Sequence, residues 1–148
     1  MKQQNKKTIL KQAFESTTYR LQYGSEKYFD IPLHQSNPEF NRWLDNNQIQ
    51  SWALITPYNP DARPHSESFN QRQWQKLKAL LQQQQLTFYP AVHIAKKDSG
   101  SKADKSWPDE ASFFITNISK SEALSIAREF DQQAFVFGIK HGEIVWCY

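Results

Sequence analysis

SWALITPYNP, residues 51–60, is the stretch on which the fold turns. Trp52 to Thr56 carries apolar side chains toward both faces, as a strand in the middle of a sheet must, rather than alternating apolar with polar. Pro57, Asn59 and Pro60 then end the strand in an extended turn, because a proline ring disfavours helical geometry at the residue before it. A helix follows from about Glu67 to Gln84, with Trp74, Leu77, Leu80 and Leu81 as its buried stripe.

Downstream, Leu86 to Ile94 reads as a second strand, in which Pro90 predicts an edge or bulge position because it has no N–H for a ladder. A polar, lysine-bearing loop spans Ala95 to Ser106, and Ser112 to Ile118 reads as the next strand. Ser119 and Glu122 form an S-x-x-E capping box that starts a helix with Ala123, Leu124, Ala127 and Phe130 along one face. A last hairpin pairs Ala134 to Ile139 with Glu143 to Tyr148 through a turn containing His141 and Gly142. Upstream, Thr8 to Ser16 has helical spacing, TTYRLQYGSEKYFDI alternates as a hairpin around Gly24 and Ser25, and Asn37 caps a short helix reaching Asn46. That helix has Pro38 at its first position and Phe40, Trp43 and Leu44 inward.

The order predicts an α+β domain of ferredoxin-like type, a split βαβ arrangement in which an antiparallel-containing sheet carries two helices on one face. Residues 51–148 form this βαββαβ core with an extra C-terminal strand, and residues 1–50 form an N-terminal helix and hairpin extension that wraps on the sheet. A doubly wound sheet would need more helices and more parallel crossovers. Neither a repeat nor a long linker divides the chain, so a single domain over 1–148 is expected.

Composition bounds the function. The 148 residues are 39% hydrophobic and 14% aromatic, with five Trp and ten Phe, enough to build a core without staples. The mean hydropathy of −0.77 reflects many Gln, Lys and Asn rather than a missing core. A formal charge of +3 and a pI near 8.9 permit an anionic ligand but fall short of the dense basic stripe that duplex binding favours. Cys147 is the sole cysteine, which excludes an intramolecular disulfide and a multi-cysteine zinc site and suits a reducing interior. MKQQNKKTILKQAF lacks the apolar run of a secretory signal, and no segment approaches the roughly 20 apolar residues of a membrane span, so a soluble cytoplasmic protein is expected. His34, His65, His93 and His141 lie in separate segments without metal-ligand spacing. Neither a metal nor a cofactor is expected.

Two constellations carry polar groups into apolar surroundings. Asn70, Trp74, Leu77 and Leu81 step by four, three and four, so an amide begins the core-facing stripe of its helix. Such an amide needs partners, and Asn70 either ties the Asn59 turn to the helix or bonds something held beside it. Asn59 is likewise a turn residue or a ligand contact. In SWPDEASF, Glu110 stands at the mouth of an apolar strand behind Trp107 and Pro108. Partial desolvation there would raise its pKa and suit it to proton transfer; the alternative is a pair with a nearby Lys or Arg, or a carboxylate facing water. Trp107 could stack on a planar ligand or cover the core. Ser112 and Cys147 sit in apolar strands with no nucleophile motif, so packing explains them.

These residues resemble the bacterial proteins grouped as domain of unknown function 3293. The family pattern has an apolar strand ending in Asn-Pro, an Asn opening the next helix, Trp-x-x-Glu-x-Ser before a strand, and Phe-x-Gln-x-Ala after a helix. The sequence matches with Asn59 and Pro60, Asn70, then Trp107, Glu110 and Ser112, then Phe130, Gln132 and Ala134. The resemblance covers about Trp52 to Gly142 and adds Gln132 to the candidate site. Phe69 stands where an acid often precedes the helix Asn, which alters local charge, and Asp131 stands where Gly is common, which bears on the turn before Gln132. The family brings no activity, so the resemblance supports a site and not a reaction.

Three readings follow. The first is a small-molecule site for a polar or anionic ligand, lined by Asn59, Asn70, Trp107, Glu110 and Gln132, with Glu110 as acid, base or acceptor and enzyme status open. The second is single-stranded nucleic acid on an open sheet face, with Phe135 and Phe137 as stacking rings and Lys96, Lys97, Lys102 and Lys105 on phosphates. The third is a protein-interaction module without chemistry.

Overall fold

A computed structural model describes residues 2–33, 35–95 and 109–148. In chain order the elements are α1 (Lys2–Glu15), β1 (Thr17–Gly24), β2 (Lys27–Asp30), α2 (Pro38–Asn46), β3 (Ser51–Ile55), α3 (Glu67–Gln83), β4 (Phe88–Ala95), β5 (Glu110–Thr116), α4 (Lys120–Glu129), β6 (Phe135–Ile139) and β7 (Ile144–Cys147). The caps are those that the side chains dictate. Asn37 Oδ1 accepts from the backbone N–H of Glu39 and Phe40, with Pro38 at the first helical position of α2. Ser119 and Glu122 close the capping box of α4, and Ser66 caps α3 through Phe69 N–H. No helix among the described residues is long and apolar enough to cross a membrane.

The protein is α+β, with the strands in one curled seven-stranded sheet in the order β2-β1-β4-β5-β3-β6-β7. Every neighbouring pair is antiparallel. Its middle depends on the continuous apolar run of β3, which pairs with β5 on one side and β6 on the other. Residues 1–50 supply two strands to the sheet, since β1 pairs with β4, and they supply α2 to one of its faces.

Pro90 corrects one expectation. β4 is an interior strand between β1 and β5, not an edge. The proline is tolerated because the β1 ladder stops at Leu21 and Ala91, one residue short of it, so no β1 residue is in register opposite Pro90.

Both faces of the sheet are covered. On one, α3 and α4 bury Leu77, Leu81, Ala123, Ile126 and Ala127 against Ala53, Ile55, Phe113, Ile115, Phe135 and Phe137. On the other, Phe40 and Leu44 of α2 pack with Tyr19, Leu21, Trp52, Leu54, Phe114 and Val136. Each fully buried Leu or Phe contributes about 1.5–3 kcal/mol, so neither layer is dispensable. This burial overturns the expectation of an open sheet face. Phe135 and Phe137, only 3% and 6% exposed, belong to the core under α3 and α4 and offer no ring for a base to stack on.

Candidate functional site

Strand register brings the polar residues together. Tyr19 of β1 lies opposite His93 of β4, and His93 lies opposite Glu110 of β5, so three ionisable side chains stand in a row across adjacent strands. Tyr19 and His93 meet edge to face at 4.8 Å between ring centroids. The chain leaving β3 reaches the same end of the sheet, where Thr56 Oγ1 donates to the Ala111 carbonyl at 2.8 Å. A cavity of about 490 Å³ opens there. Thr56, Asn59, His93, Glu110 and Gln132 form its polar end, and Ala13, Phe14, Tyr19, Val136 and Trp146 are prominent in its apolar wall.

The turn after β3 is held in a conformation that costs free energy. Asn59 sits at φ 49°, ψ 60° and Asp61 at φ 59°, ψ 23°, the left-handed region that side-chain-bearing residues enter at a cost of about 1–2 kcal/mol each. A network of bonds offsets this. Asn59 N–H donates to Asn70 Oδ1 at 2.8 Å, and Asn70 Nδ2 donates back to Asn59 Oδ1 at 3.0 Å. His65 N–H also donates to Asn59 Oδ1, at 3.0 Å. On its other side the Asn59 amide meets the acid, with Nδ2 donating to Glu110 Oε2 at 2.7 Å. One buried amide pair thus sets the turn and aims a carboxylate.

The loop between α4 and β6 is clamped to the same turn. Asp61 N–H donates to the Asp131 carbonyl at 2.8 Å, and Gln132 Nε2 donates to the Tyr58 carbonyl at 3.0 Å. Asp131 adopts φ 54°, the left-handed region that favours glycine, so the turn before Gln132 forms with aspartate in place. Tyr58 is anchored on the helix side, its hydroxyl donating to Glu67 Oε1 at 3.1 Å and accepting from Gln71 Nε2 at 2.9 Å. Burial, reinforced by that bond to Glu67, pushes its phenol up to about 12.

His93 is the group most displaced from its ordinary chemistry. Its Nε2 is shut off from solvent and has no hydrogen-bond partner among the described residues, as is also true of the Ser112 hydroxyl. Loss of solvent around the ring pulls its pKa down to about 3, so the imidazole is neutral at physiological pH. An unfolded histidine protonates near pH 6.5. Between about pH 6.5 and 3 the unfolded chain therefore takes up a proton that the folded one refuses, and stability falls as pH falls through that window. The slope from this one group approaches about 1.4 kcal/mol per pH unit. Chemical denaturation at pH 7, 6 and 5 should show that slope in wild type and a clearly shallower one in His93→Leu, since the other three histidines are common to both. Equal slopes would mean that His93 titrates normally in the folded protein.

Among the residues expected from sequence, Asn59, Glu110 and Gln132 line the cavity. Asn70 stands behind Asn59, 3% exposed, with both ends of its amide committed to that residue. Trp107 lies outside the described residues, as do Lys96, Lys97, Lys102 and Lys105. Sequence reasoning missed Tyr19, Tyr58, His93 and Trp146. The alternation of Tyr89, Ala91 and His93 was a usable signal that these share a face. What hid the site was register, because only pairing across the long connection between β4 and β5 sets His93 against Glu110.

The family model described as "Protein of unknown function (DUF3293)" matches residues 55–135. The matched segment contains the whole polar end of the cavity, whereas Phe14, Tyr19 and Trp146 of the apolar wall lie outside it. No curated protein and no solved structure matches the chain.

Proposed function

Since the chain belongs to the DUF3293 family, whose description names no reaction, we propose from the site itself that the protein binds a small molecule in the cavity at the end of β3, β4 and β5. The observation that carries this reading is the arrival of Asn59, Glu110 and Gln132 from three separate segments at one cavity of about 490 Å³. That volume lies within the usual span of small-molecule pockets, about 300–1,000 Å³. In this reading Glu110, held through Oε2 by Asn59 Nδ2, is the acidic contact, Asn70 braces Asn59, and Gln132, its Nε2 on the Tyr58 carbonyl, is a further polar contact. No reaction is assigned to it.

The same reading takes residues 1–148 as one cytoplasmic domain, in keeping with a single buried thiol at Cys147. It takes β6-β3-β5-β4 with α3 and α4 as a ferredoxin-like split βαβ core. Support comes from the strand order, in which each βαβ unit has a strand of the other inserted antiparallel between its own two strands.

A thermal-shift screen of wild type and Glu110→Gln against polar metabolites tests the binding reading. A ligand at about 100 times its Kd adds roughly 2.7 kcal/mol, a shift of several degrees for a domain of this size. The expected result is a set of compounds that raise the Tm of wild type and lose that effect in a still-folded Glu110→Gln. Compounds that stabilise both proteins equally would place binding elsewhere on the molecule.

A further inference from the structure

We propose that the ligand of this cavity is a ring compound whose polar groups are N–H or O–H donors, such as a phenol, a cyclic urea or an amino-substituted heterocycle. The inference rests on the small-molecule reading above and adds the chemical class.

The hydroxyl protons of the lining are already committed. Among the described residues, Ser16, Thr17, Tyr19, Thr56 and Tyr58 bring the side-chain hydroxyls of the cavity. A hydroxyl has one proton and two lone pairs, and a carbonyl or carboxylate oxygen can only accept from it. The end of α1 takes three of these protons, because the last carbonyls of a helix have no helical N–H to meet them. Ser16 Oγ donates to the Gln12 carbonyl at 2.8 Å, Thr17 Oγ1 to that of Ala13, and the Tyr19 hydroxyl to that of Phe14 at 3.4 Å. Thr56 Oγ1 gives its proton to the Ala111 carbonyl, and the Tyr58 hydroxyl gives its own to Glu67 Oε1. Each of these hydroxyls can therefore offer a ligand a lone pair and no proton.

Gln132 is in the same position. Its Nε2 donates to the Tyr58 carbonyl at 3.0 Å and to the Phe130 carbonyl at 3.4 Å, so Oε1 is what remains of its amide. Side chains that could have met a ligand either way are thus left as acceptors. The lining is not without donors, on Gln133 and the Trp146 indole for instance, and these can meet an acceptor on the ligand.

A ligand with acceptors alone, such as an ether, a ketone or a carboxylate, would set lone pairs against lone pairs and expel the water that now satisfies these oxygens. A donor pairs with them instead. Rings share the lining with the hydroxyls: Phe14 of α1 and Trp146 of β7 lie nearly parallel, 26° apart with centroids at 6.2 Å, and Tyr19 tilts against Phe14 at 5.8 Å. Aromatic faces pack on a flat apolar body, which is why the donors are placed on a ring.

Uncharged matched pairs test this by NMR titration of the wild-type protein: resorcinol against its dimethyl ether, and benzimidazolone against its N,N′-dimethyl derivative. Methylation removes both donors and keeps the acceptors. A cavity without an excess of acceptors would favour the methylated member, which withdraws more apolar surface from water. The parents are instead expected to bind more tightly than their dimethyl derivatives by about tenfold or more. A probe of 5-ethylresorcinol, which adds two carbons and keeps both donors, should bind like resorcinol and so separate lost donors from added bulk. Ala13→Phe, at an exposed position of α1 on the cavity rim, should weaken all of them by filling the space without disturbing the core. The inference is overturned if a dimethyl derivative binds as tightly as its parent. It is also overturned, with the cavity still a ligand site, if the parents fail but other compounds bind and respond to Ala13→Phe. If no compound of any class responds to Ala13→Phe, the small-molecule reading falls with it.

Discussion

Gly138→Ala is expected to lower the stability of the protein by about 3 kcal/mol, the upper end of what overpacking costs in a closed core. Gly138 of β6 lies directly across from Trp52 of β3, with the indole occupying the space that a Cβ would take. A Cβ at position 138 would fall 2.3 Å from Trp52 Cζ2 and 2.4 Å from Cε2, far inside contact distance. The ring has nowhere to go. Trp52 is 1% exposed, stacked on Phe114 at 4.9 Å and met by Phe40 at 6.0 Å, so yielding to the methyl means moving α2 or β5 as well. For a domain of this size the loss corresponds to a fall in Tm of roughly 10 °C. Trp52→Leu should cost stability alone but remove most of the further penalty of Gly138→Ala, because the two residues couple only through the indole. Additive effects in that double-mutant cycle would mean that the glycine is required for some other reason.

Asn70→Ala is expected to cost about 2–3 kcal/mol and, unlike Gly138→Ala, to weaken the site as well. The substitution leaves the Asn59 N–H buried without its acceptor and removes one of the donors to Asn59 Oδ1. The left-handed turn then loses two of the bonds that offset its strain, and the amide that orients Glu110 is held on its Oδ1 side by His65 N–H alone. Ligand affinity should fall although Asn70 does not line the cavity, with a smaller effect than that of Glu110→Gln. Unchanged affinity in a destabilised Asn70→Ala would confine the residue to a structural role.

These two sites show how far the sequence could be read. Local chemistry was legible: Asn37 with Pro38, and Ser119 with Glu122, mark helix starts because a side-chain oxygen near an unpaired N–H is decided within a few residues. The buried stripe of α3 and the central role of β3 were legible for the same reason, as periodicity is a local property. Long-range pairing was not. Nothing around Pro90 announces that the β1 ladder ends one residue away, so the proline pointed to an edge or a bulge rather than to a regular interior strand. Nor did the sequence around Phe135 and Phe137 reveal which face of β6 the helices cover, so it left a core position and a stacking surface both open. In the site, Asn59 and Glu110 could be singled out as polar groups beside apolar strands, and Gln132 through the family resemblance. His93 could not, because its significance depends on register with Tyr19 and Glu110. The role of Asn70 was half legible: its place at the head of an apolar stripe demanded a partner, but the sequence could not choose between Asn59 and a ligand.

The most direct measurement is a ¹H–¹⁵N NMR titration of the wild-type protein with the compound that stabilises it most, read on side-chain signals. The side-chain amides of Asn59 and Gln132 and the indole N–H of Trp146 should shift together and saturate at one Kd, while the indole N–H of Trp52, sealed in the core between Phe40 and Phe114, stays in place. Shifts that leave Asn59, Gln132 and Trp146 untouched while the protein is saturated would contradict the account.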